Sequence, residues 1–386
     1  MNLSKLDKSK WTPHGFDEIA TMVSERVDPN ETDLNIYVGL EHIDPENLHI
    51  TRHGSSDDVN GTKLRFYPGD VIFGRRRAYQ RKAAIAKSHG FCSAHAMVLR
   101  AKPAVIDPDL FPFFLHSDQF MHRAVDISVG SLSPTINWKS LRKQTFLLPP
   151  KAEQARLAEL LWAGDAVVEG LMSILTQAKL VSESFQSDFF GNIEGSKTRF
   201  SRIADIRYGL TVNAARRNSI DKEPYLRVGN VYRGALDLSE VKEIGIVDGD
   251  QEKYALEEND ILIVEGHANI QEIGRAAVWQ NEWPYMLHQN HVIRARCIQK
   301  GVAEVIASYL NSQRGRSYFQ QNAKSTSGLN TINSTIVKLF KIPNFSDTHV
   351  NSFRANMAEI DTTIVSTKKS LASARALQKS IINRIF

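Results

Sequence analysis

The sequence predicts an α+β protein in which one architectural unit occurs twice. Two mixed α/β domains lie in tandem, each is followed by a long helix, and the two helices pair as an antiparallel coiled coil. Three observations predict this. Segments of the first half recur in the same order in the second half, short β-rich runs with turn residues fill most of each half, and each half ends in a long heptad pattern.

The repeat is clearest in the tripeptide Thr-Ile-Asn, which occurs at 135–137 and again, 196 residues later, at 331–333. Upstream, PGDVIFGR (68–75) resembles ENDILIVEG (258–266) with an offset of about 190 residues, as changes in loop length would produce. This many matches in one order indicate a tandem duplication. Two further pairs coincide at the offset of 196 residues: His95 with His291, and Arg100 with Arg296.

Each half has the same internal order. Runs such as KLRFY, DVIF and AMVL, separated by Gly, Pro, Asn and Asp, are typical of strands and turns. An extended segment with proline follows, FLLPP or FKIPNF, and then a helix. The predicted boundaries are 1–150 for the first domain, 151–192 for the central helix, 193–346 for the second domain and 347–386 for the C-terminal helix.

Both helices carry apolar residues at alternating steps of four and three, in the same phase over 153–190 and 349–386. Seams of equal length and phase favour packing of the helices on each other; packing of each helix on its own domain is the alternative. Gly164, Thr367 and Gln378 interrupt the seams, which predicts local looseness or partner contacts there. The predicted seam residues are Leu157, Leu161, Val168, Leu171, Leu175, Phe185, Phe353, Met357, Ile360, Ile364, Leu371 and Ile381.

The composition is that of an ordinary globular protein, with 386 residues and a net charge of +5. No apolar run approaches the ~18 residues of a membrane span, and MNLSKLDKSKW lacks the apolar core of a signal peptide. Two cysteines make no disulfide framework, so we expect a cytoplasmic protein. No P-loop, H-E-x-x-H, G-x-S-x-G, amino-methyltransferase tetrapeptide or Cys/His metal spacing occurs, so we expect no catalytic residue, no metal and no cofactor on this chain.

The strongest local signal is positive charge. Residues 61–102 contain ten Lys or Arg and one acid, Asp70, and GRRRAYQRK (74–82) directly follows the predicted strand DVIF. Lys and Arg bind phosphates, and Arg and Gln read base edges in the major groove, so a DNA-binding loop is predicted; a solvated charged loop is the alternative. The predicted DNA-contacting residues of this half are Lys63, Arg75, Arg76, Arg77, Tyr79, Gln80, Arg81 and Lys82.

The equivalent region of the second half is different. Residues 250–298 hold eight acids and four bases, and the loop EGHANIQEIGR is rich in side chains that read bases but attract phosphates little. Two satisfied histidines at strand ends are a simpler interpretation of His95 and His291 than a catalytic pair. The predicted DNA-contacting residues of this half are Arg216, Arg217, His267, Asn269, Gln271, Arg275 and Lys324.

In its order of parts, the chain resembles the specificity subunit of type I restriction–modification systems over essentially all 386 residues. The parts are a variable domain, the TIN…LLPP linker and a long helix beginning EQARLAELL, all of them repeated. GDVIFGR and NDILIVEG resemble the recurring strand of that family's target-recognition domains.

The resemblance implies that each domain reads one half of a bipartite DNA target through the major groove. The helix pair, at roughly 57 Å for 38 residues, would set the gap between the half-sites. The chain would be a non-catalytic subunit that recruits two modification subunits, which methylate adenine with S-adenosylmethionine, and nuclease or translocase subunits can join. The rival functions are a catalytic DNA methyltransferase or nuclease, and a helical-hairpin scaffold that binds no DNA.

Overall fold

The computed structural model of the chain describes residues 7–217, 219–326 and 328–386, so the first six residues of the segment MNLSKLDKSKW lie outside it. The chain divides into two compact units. The first runs to Ile174 and includes Thr367–Phe386, and the second is Leu175–Ser366. Each long helix therefore contributes residues to both units, while the division into four consecutive segments stays a prediction.

The two long helices are α5 (Lys151–Gly191) and α11 (Asp347–Ile385), within two residues of the predicted spans. The shorter helices are α1 (Phe16–Ile19), α2 (Phe111–His116), α3 (Asp118–Asp126), α4 (Trp138–Leu141), α6 (Ala214–Arg217), α7 (Asp250–Tyr254), α8 (Ala303–Asn311), α9 (Gln313–Asn322) and α10 (Ser334–Leu339). Within the described ranges, no helix is both long enough and apolar enough to cross a membrane.

The strands of the first unit are β1 (Thr12–Gly15), β2 (Ala20–Val23), β3 (Arg26–Val27), β4 (Tyr37–Val38), β5 (Lys63–Phe66), β6 (Val71–Gly74), β7 (Ala83–Ile85), β8 (Gly90–Cys92), β9 (Ala96–Ala101) and β10 (Thr145–Leu148). Those of the second unit are β11 (Lys197–Arg199), β12 (Ala204–Arg207), β13 (Lys222–Leu226), β14 (Val231–Tyr232), β15 (Ala235–Leu236), β16 (Lys242–Gly245), β17 (Asp260–Val264), β18 (Gly266–His267), β19 (Ala276–Val278), β20 (Leu287–His288), β21 (Val292–Cys297), β22 (Lys324–Thr326), β23 (Leu329–Thr331) and β24 (Lys341–Pro343).

The main sheet of the first unit is antiparallel, with the order β2-β9-β6-β7. Its inner strand β6 is apolar throughout because both of its faces are covered. Val71 and Phe73 point into the main core with helices α2 and α3, whereas Ile72 enters a second core with Val38 and Phe66. A strand buried on both faces explains why the sequence reads as a continuous apolar run rather than an alternating one.

The second unit repeats this sheet as β12-β21-β17-β19, also antiparallel. Strand β17 takes the place of β6, with Ile261 and Ile263 in one core and Leu262 and Val264 in the other. A small antiparallel pair closes each domain, β1 with β10 and β11 with β24. The predicted fold class, a duplicated α+β domain followed each time by a long helix, is confirmed.

In each unit, an aspartate at the start of the inner strand forms the same buried ion pair. The Asp70 carboxylate, just before β6, accepts from Arg100 Nε (2.7 Å) and Nη2 (2.9 Å). The Asp260 carboxylate accepts from Arg296 Nε and Nη2, both at 2.8 Å. Hydrogen bonding to the carboxylate raises the pKa of each arginine above its ordinary value. Both aspartates are buried, so each arginine is needed to keep a buried charge paired.

The repeated Thr-Ile-Asn tripeptide has the same roles in both units. Ile136 and Ile332 are buried in the main cores. Asn137 Oδ1 accepts from the backbone N–H of Ser140 (2.8 Å) and so caps α4, and the side chain of Asn333 likewise caps α10. The tripeptide recurs because each copy must fill a core and start a helix.

The long helices pair antiparallel within each unit. In the first unit, Leu157 and Leu161 near the start of α5 share a core with Ile382 and Ile385 at the end of α11.

In the second unit, the end of α5 meets the start of α11: the rings of Phe185 and Phe189 lie 5.8 and 5.1 Å from that of Phe353. The predicted seam residues, from Leu157 to Phe185 and from Phe353 to Ile381, are all buried or half-buried.

Two of the predicted interruptions of the seam are well-packed positions rather than loose ones. Gln378 Nε2 donates to Asp165 Oδ1 (3.1 Å), and Asp165 Oδ2 lies 2.7 Å from His49 Nε2. This buried network joins both helices to the loop of the first domain. Thr367 is buried as well. The expectation of a loose coil at Gln378 and Thr367 is therefore corrected, because a long-range polar partner or close packing accounts for them.

We predict that Asp165→Ala lowers the free energy of unfolding of the first unit by about 3 kcal/mol, because a buried polar group left unsatisfied costs about 1–3 kcal/mol and two are left here. The matched control is Glu159→Ala at an exposed acidic position of the same helix, which should change stability by less than about 0.5 kcal/mol. Urea unfolding, with hydrogen exchange to assign the change to the first unit, measures both. Equal effects of the two substitutions would contradict the role of this network.

Candidate nucleic-acid interface

The basic loop of the first unit continues directly from strand β6 and is held by the segment that precedes Ile136. Ile136 N donates to Arg75 O (3.0 Å), and Arg77 N donates to Pro134 O (2.7 Å). The Ser133 hydroxyl accepts from Arg76 Nη2 (3.2 Å) and Arg77 Nε (3.3 Å). The three consecutive arginines are thus positioned by backbone pairing and by a neutral side chain, and these contacts do not compensate their charges.

The chain reverses just after these arginines. Arg77 and Arg81 both adopt left-handed backbone conformations, with φ of 57° and 53°, on either side of the short turn Ala78–Gln80. Tyr79 stands on this turn and is exposed, and Gln80 is half-exposed. The turn therefore presents an aromatic ring and an amide beside the three arginines.

Arg81, Lys82 and Lys63 have internal roles. Arg81 forms ion pairs with Glu46 (3.0 Å) and Asp118 (2.9 Å). Lys82 Nζ donates to a backbone carbonyl at 2.6 Å, and Lys63 Nζ donates to two carbonyls of its own turn. These contacts bind the three cations to their own domain. The prediction is therefore corrected for Arg81, whose charge is compensated by two carboxylates, whereas Lys82 and Lys63 contact only neutral carbonyl groups and stay predicted DNA contacts.

The number of cationic residues in 61–102 also overestimates the positive charge of this surface, because some of them are paired with acids. Arg100 is neutralised by Asp70, and Arg65 Nη1 lies 3.1 Å from Glu25 Oε1. Acids that are distant in sequence therefore compensate part of the charge of this segment, whereas none of the ion pairs among the described residues involves Arg75–Arg77.

In the second unit, the loop after β17 occupies the equivalent place. Its short strand β18 pairs with β23, so that Gly266 and His267 lie opposite Thr331 and Asn330. In the first unit, Arg76 lies opposite Thr135 in the same way. In both units, the threonine of the Thr-Ile-Asn tripeptide thus pairs with the loop after the inner strand. The two loops are therefore structurally equivalent.

The loop of the second unit carries neutral polar side chains. Asn269 and Gln271 are exposed, and His267 is half-exposed. Asn269 Oδ1 accepts from Gln271 N (3.0 Å), which fixes the turn. Arg217 and Lys324, two further predicted DNA contacts of this unit, are also exposed.

Arg216 and Arg275 are structural residues instead. Arg216 pairs with the buried Asp250, with Nη2 2.9 Å from Oδ1, and this bond lowers the pKa of Asp250. Arg275 is itself buried, and it donates to Glu272 Oε2 (3.0 Å) and Val228 O (3.0 Å). A guanidinium that already pairs with an acid of its own domain is not available to DNA, so the prediction that Arg216 and Arg275 contact DNA is corrected.

The two histidines in equivalent positions of the repeat have different surroundings. His291 Nδ1 lies 2.5 Å from Glu265 Oε2, whereas His95 is exposed just before β9. Burial lowers the pKa of His116 and of His288 to about 4, so both are neutral at physiological pH. In the described part of the chain, no three His, Cys, Asp or Glu residues cluster as metal ligands would.

Sequence reasoning missed Ser133 and the turns before each Thr-Ile-Asn. Ser133 is separated from Arg76 by 57 residues in the chain, so only the fold brings them together. The sequence feature that could have indicated this contact is the repeated tripeptide itself. A segment that is the same in both repeats, beside a loop that differs, indicates a structural role.

Each unit thus presents one loop from its inner strand, and the two equivalent loops carry different side chains. No family model matches the chain. It is 23 % identical over 372 residues to the StySPI type I restriction enzyme specificity subunit of Salmonella potsdam, covering 91 % of this chain and 76 % of that protein. It is 21 % identical over 376 residues to the EcoKI specificity subunit of Escherichia coli K12, with the same coverages.

Solved structures show the same fold. A chain determined in work on the assembly and conformational transition of the type I R-M system superposes with a TM-score of 0.59 at 15 % identity, covering 98 % of this chain and 97 % of that one. The type I S subunit from M. genitalium gives 0.54 at 15 % identity, covering 99 % and 98 %. In sequence and in fold, the chain is thus a relative of type I specificity subunits over nearly its whole length.

Proposed function

We propose that this chain is the sequence-specific DNA-binding subunit of a type I restriction–modification complex. Each recognition domain reads one half of a bipartite DNA target through the major groove. The observation that carries the proposal is the pair of equivalent loops after β6 and β17, held in the same way but bearing different side chains. A duplicated scaffold with diverged loops suits a target with two different halves.

The chemistry of the two loops matches that task. Arginine forks onto guanine O6 and N7, and asparagine or glutamine onto adenine N6 and N7. Arg75–Arg77 supply phosphate attraction and guanine readout in the first domain, and Asn269 and Gln271 supply base readout in the second. Phosphate contacts of the second domain come from Arg217 and Lys324.

The chain works as a non-catalytic subunit in the cytoplasm. Its helix pair sets the gap between the half-sites. Two modification subunits supply S-adenosylmethionine and methylate adenine, and restriction subunits can join them. The relatives support this division of labour, since they carry the name of specificity subunits.

A second apolar stripe on α5 supports a helical partner. Val167 and Ile174 are exposed at 55 % and 47 %, and half-buried Leu160 stands one heptad before them. All three lie outside the seam with α11. The exposed Gly170 lies beside them, and a Cβ there would meet nothing within 4 Å. A glycine inside a helix costs about 0.5–1 kcal/mol and permits close backbone approach, so this face fits a helix of a modification subunit.

The interface prediction concerns the three consecutive arginines. Replacing Arg75–Arg77 with alanine should weaken DNA binding and lower the slope of log K against log salt by about 0.9 for each phosphate that is no longer neutralised. Titrations of fluorescent duplex at several salt concentrations measure the slope. Arg156→Ala, an exposed arginine on α5, is the control and should leave the slope unchanged. Arg81→Ala should lower stability, since Glu46 and Asp118 lose their partner. If the triple variant has the same salt slope as the wild type, the loop does not contact DNA phosphates.

The partner prediction concerns the stripe on α5. Val167→Lys with Ile174→Lys should weaken association with purified modification subunits at least about hundredfold, because burying each such side chain stabilises by about 1.5–3 kcal/mol. Both positions are exposed, so the variant should fold normally. Val365→Lys, at a residue of α11 that is 66 % exposed, is the matched control. Co-purification of the double variant at wild-type stoichiometry and affinity would count against this surface.

The overall function is tested by mapping methylated adenines in the host genome. We expect a bipartite motif with a fixed gap. Exchanging residues 1–150 for the corresponding domain of another specificity subunit should change one half of that motif and leave the other intact. A motif without a gap, or a change in both halves, would show that the two domains do not read DNA independently.

A further inference from the structure

Each of the two recognition loops lies beside a hairpin that exposes a leucine. In the first unit, Val129 and Thr135 exchange backbone hydrogen bonds of 3.0 and 2.9 Å, and the turn between them carries Leu132. The Leu132 side chain is 91 % exposed. It directly precedes Ser133, whose hydroxyl accepts from Arg76 and Arg77. The leucine therefore stands next to the arginines that we assign to DNA.

The second unit has the same arrangement with a one-residue shift. Strands β22 and β23 form the hairpin, and Leu329 lies opposite Thr326. Leu329 is 42 % exposed, and the two residues that follow it pair with His267 and Gly266 of the loop. Leu132 precedes its Thr-Ile-Asn by three residues and Leu329 by two. An exposed leucine thus accompanies the loop in both copies.

Within the described residues, neither leucine belongs to a hydrophobic core, and neither can bind a phosphate. Scattered apolar residues on a surface need no explanation. These two differ because they occupy corresponding places in a duplicated domain, beside loops that carry Arg in the first copy and His, Asn and Gln in the second. On the edge of a base pair in the major groove, the apolar group is the C5 methyl of thymine.

We propose that Leu132 and Leu329 each contact a thymine methyl group, one in each half of the target. The two domains then share one element of readout, an apolar contact that selects an A·T pair, and differ in the polar loop beside it. The inference rests on the proposed function, since it requires that these loops face DNA bases. Every half-site that contains a methylatable adenine also contains a thymine opposite it, so each half offers such a methyl group.

The test removes the methyl group without changing the base pairing. The full chain in complex with its modification subunits is titrated with duplexes that carry the genome-mapped motif, in which deoxyuridine replaces each thymine in turn. The wild type should bind about fourfold more weakly when deoxyuridine replaces the contacted thymine, because the burial of one methyl group is lost. This loss is expected at one position of each half-site. L132A should lose this discrimination in one half-site only, and L329A in the other. Ile298→Ala, at a residue 74 % exposed outside both hairpins, should retain both.

Three results would overturn the proposal. One is a wild type that discriminates thymine from deoxyuridine at no position. Another is an L132A variant that keeps the full discrimination. The last is an L132A variant that loses equal affinity for all duplexes while the wild type shows no methyl effect in that half-site. Failure of the wild-type complex to bind any duplex with the mapped motif would instead refute the proposed function. Because Leu132 is almost fully exposed, loss of folding does not explain a change in L132A.

Discussion

In each unit, the position of the loop after the inner strand depends on one buried ion pair. Asp70 and Asp260 stand at the beginning of the inner strands β6 and β17, and each is held by two hydrogen bonds from an arginine of the neighbouring strand. The pair fixes where the inner strand begins. Since the strand is apolar and buried on both faces, it also fixes where the strand ends, and the loop that we assign to DNA starts there. A one-residue slip would expose the aspartate's charge to the core and turn each apolar side chain to the opposite face.

The two copies have the same residues where packing requires them and differ where side chains are exposed to solvent. Ile136 and Ile332 fill cores, Asn137 and Asn333 cap helices, and the ion pairs retain both their residues and their geometry. The loops only a few residues away share neither charge nor composition. A rigid inner strand with a freely varying loop is the arrangement in which target specificity can change without loss of the fold.

The periodic and repeated features of the fold could be predicted from sequence because they are local or internally redundant. The heptad seams of α5 and α11 predicted helix ends to within two residues, and the repeated tripeptide indicated duplicated domains. The roles of individual cations could not be predicted. Arg81 and Arg216 look like ligands for DNA when only the charges along the sequence are considered. Partners such as Asp118 and Asp250 lie more than 30 residues away in the chain, so only tertiary structure shows that the charges are already paired.

The two halves are equivalent in fold but differ in their electrostatics. In the first unit, three adjacent arginines are held by a serine hydroxyl and by backbone groups of the neighbouring turn. In the second, neutral amides line the loop, and Arg216 and Arg275 are committed to Asp250 and Glu272. Attraction to phosphates is long-ranged and weakens with salt, whereas amide contacts to base edges are short-ranged and specific. On the proposed function, the first domain therefore supplies more of the affinity and its salt dependence. The second contributes mainly by discriminating bases once the first is bound.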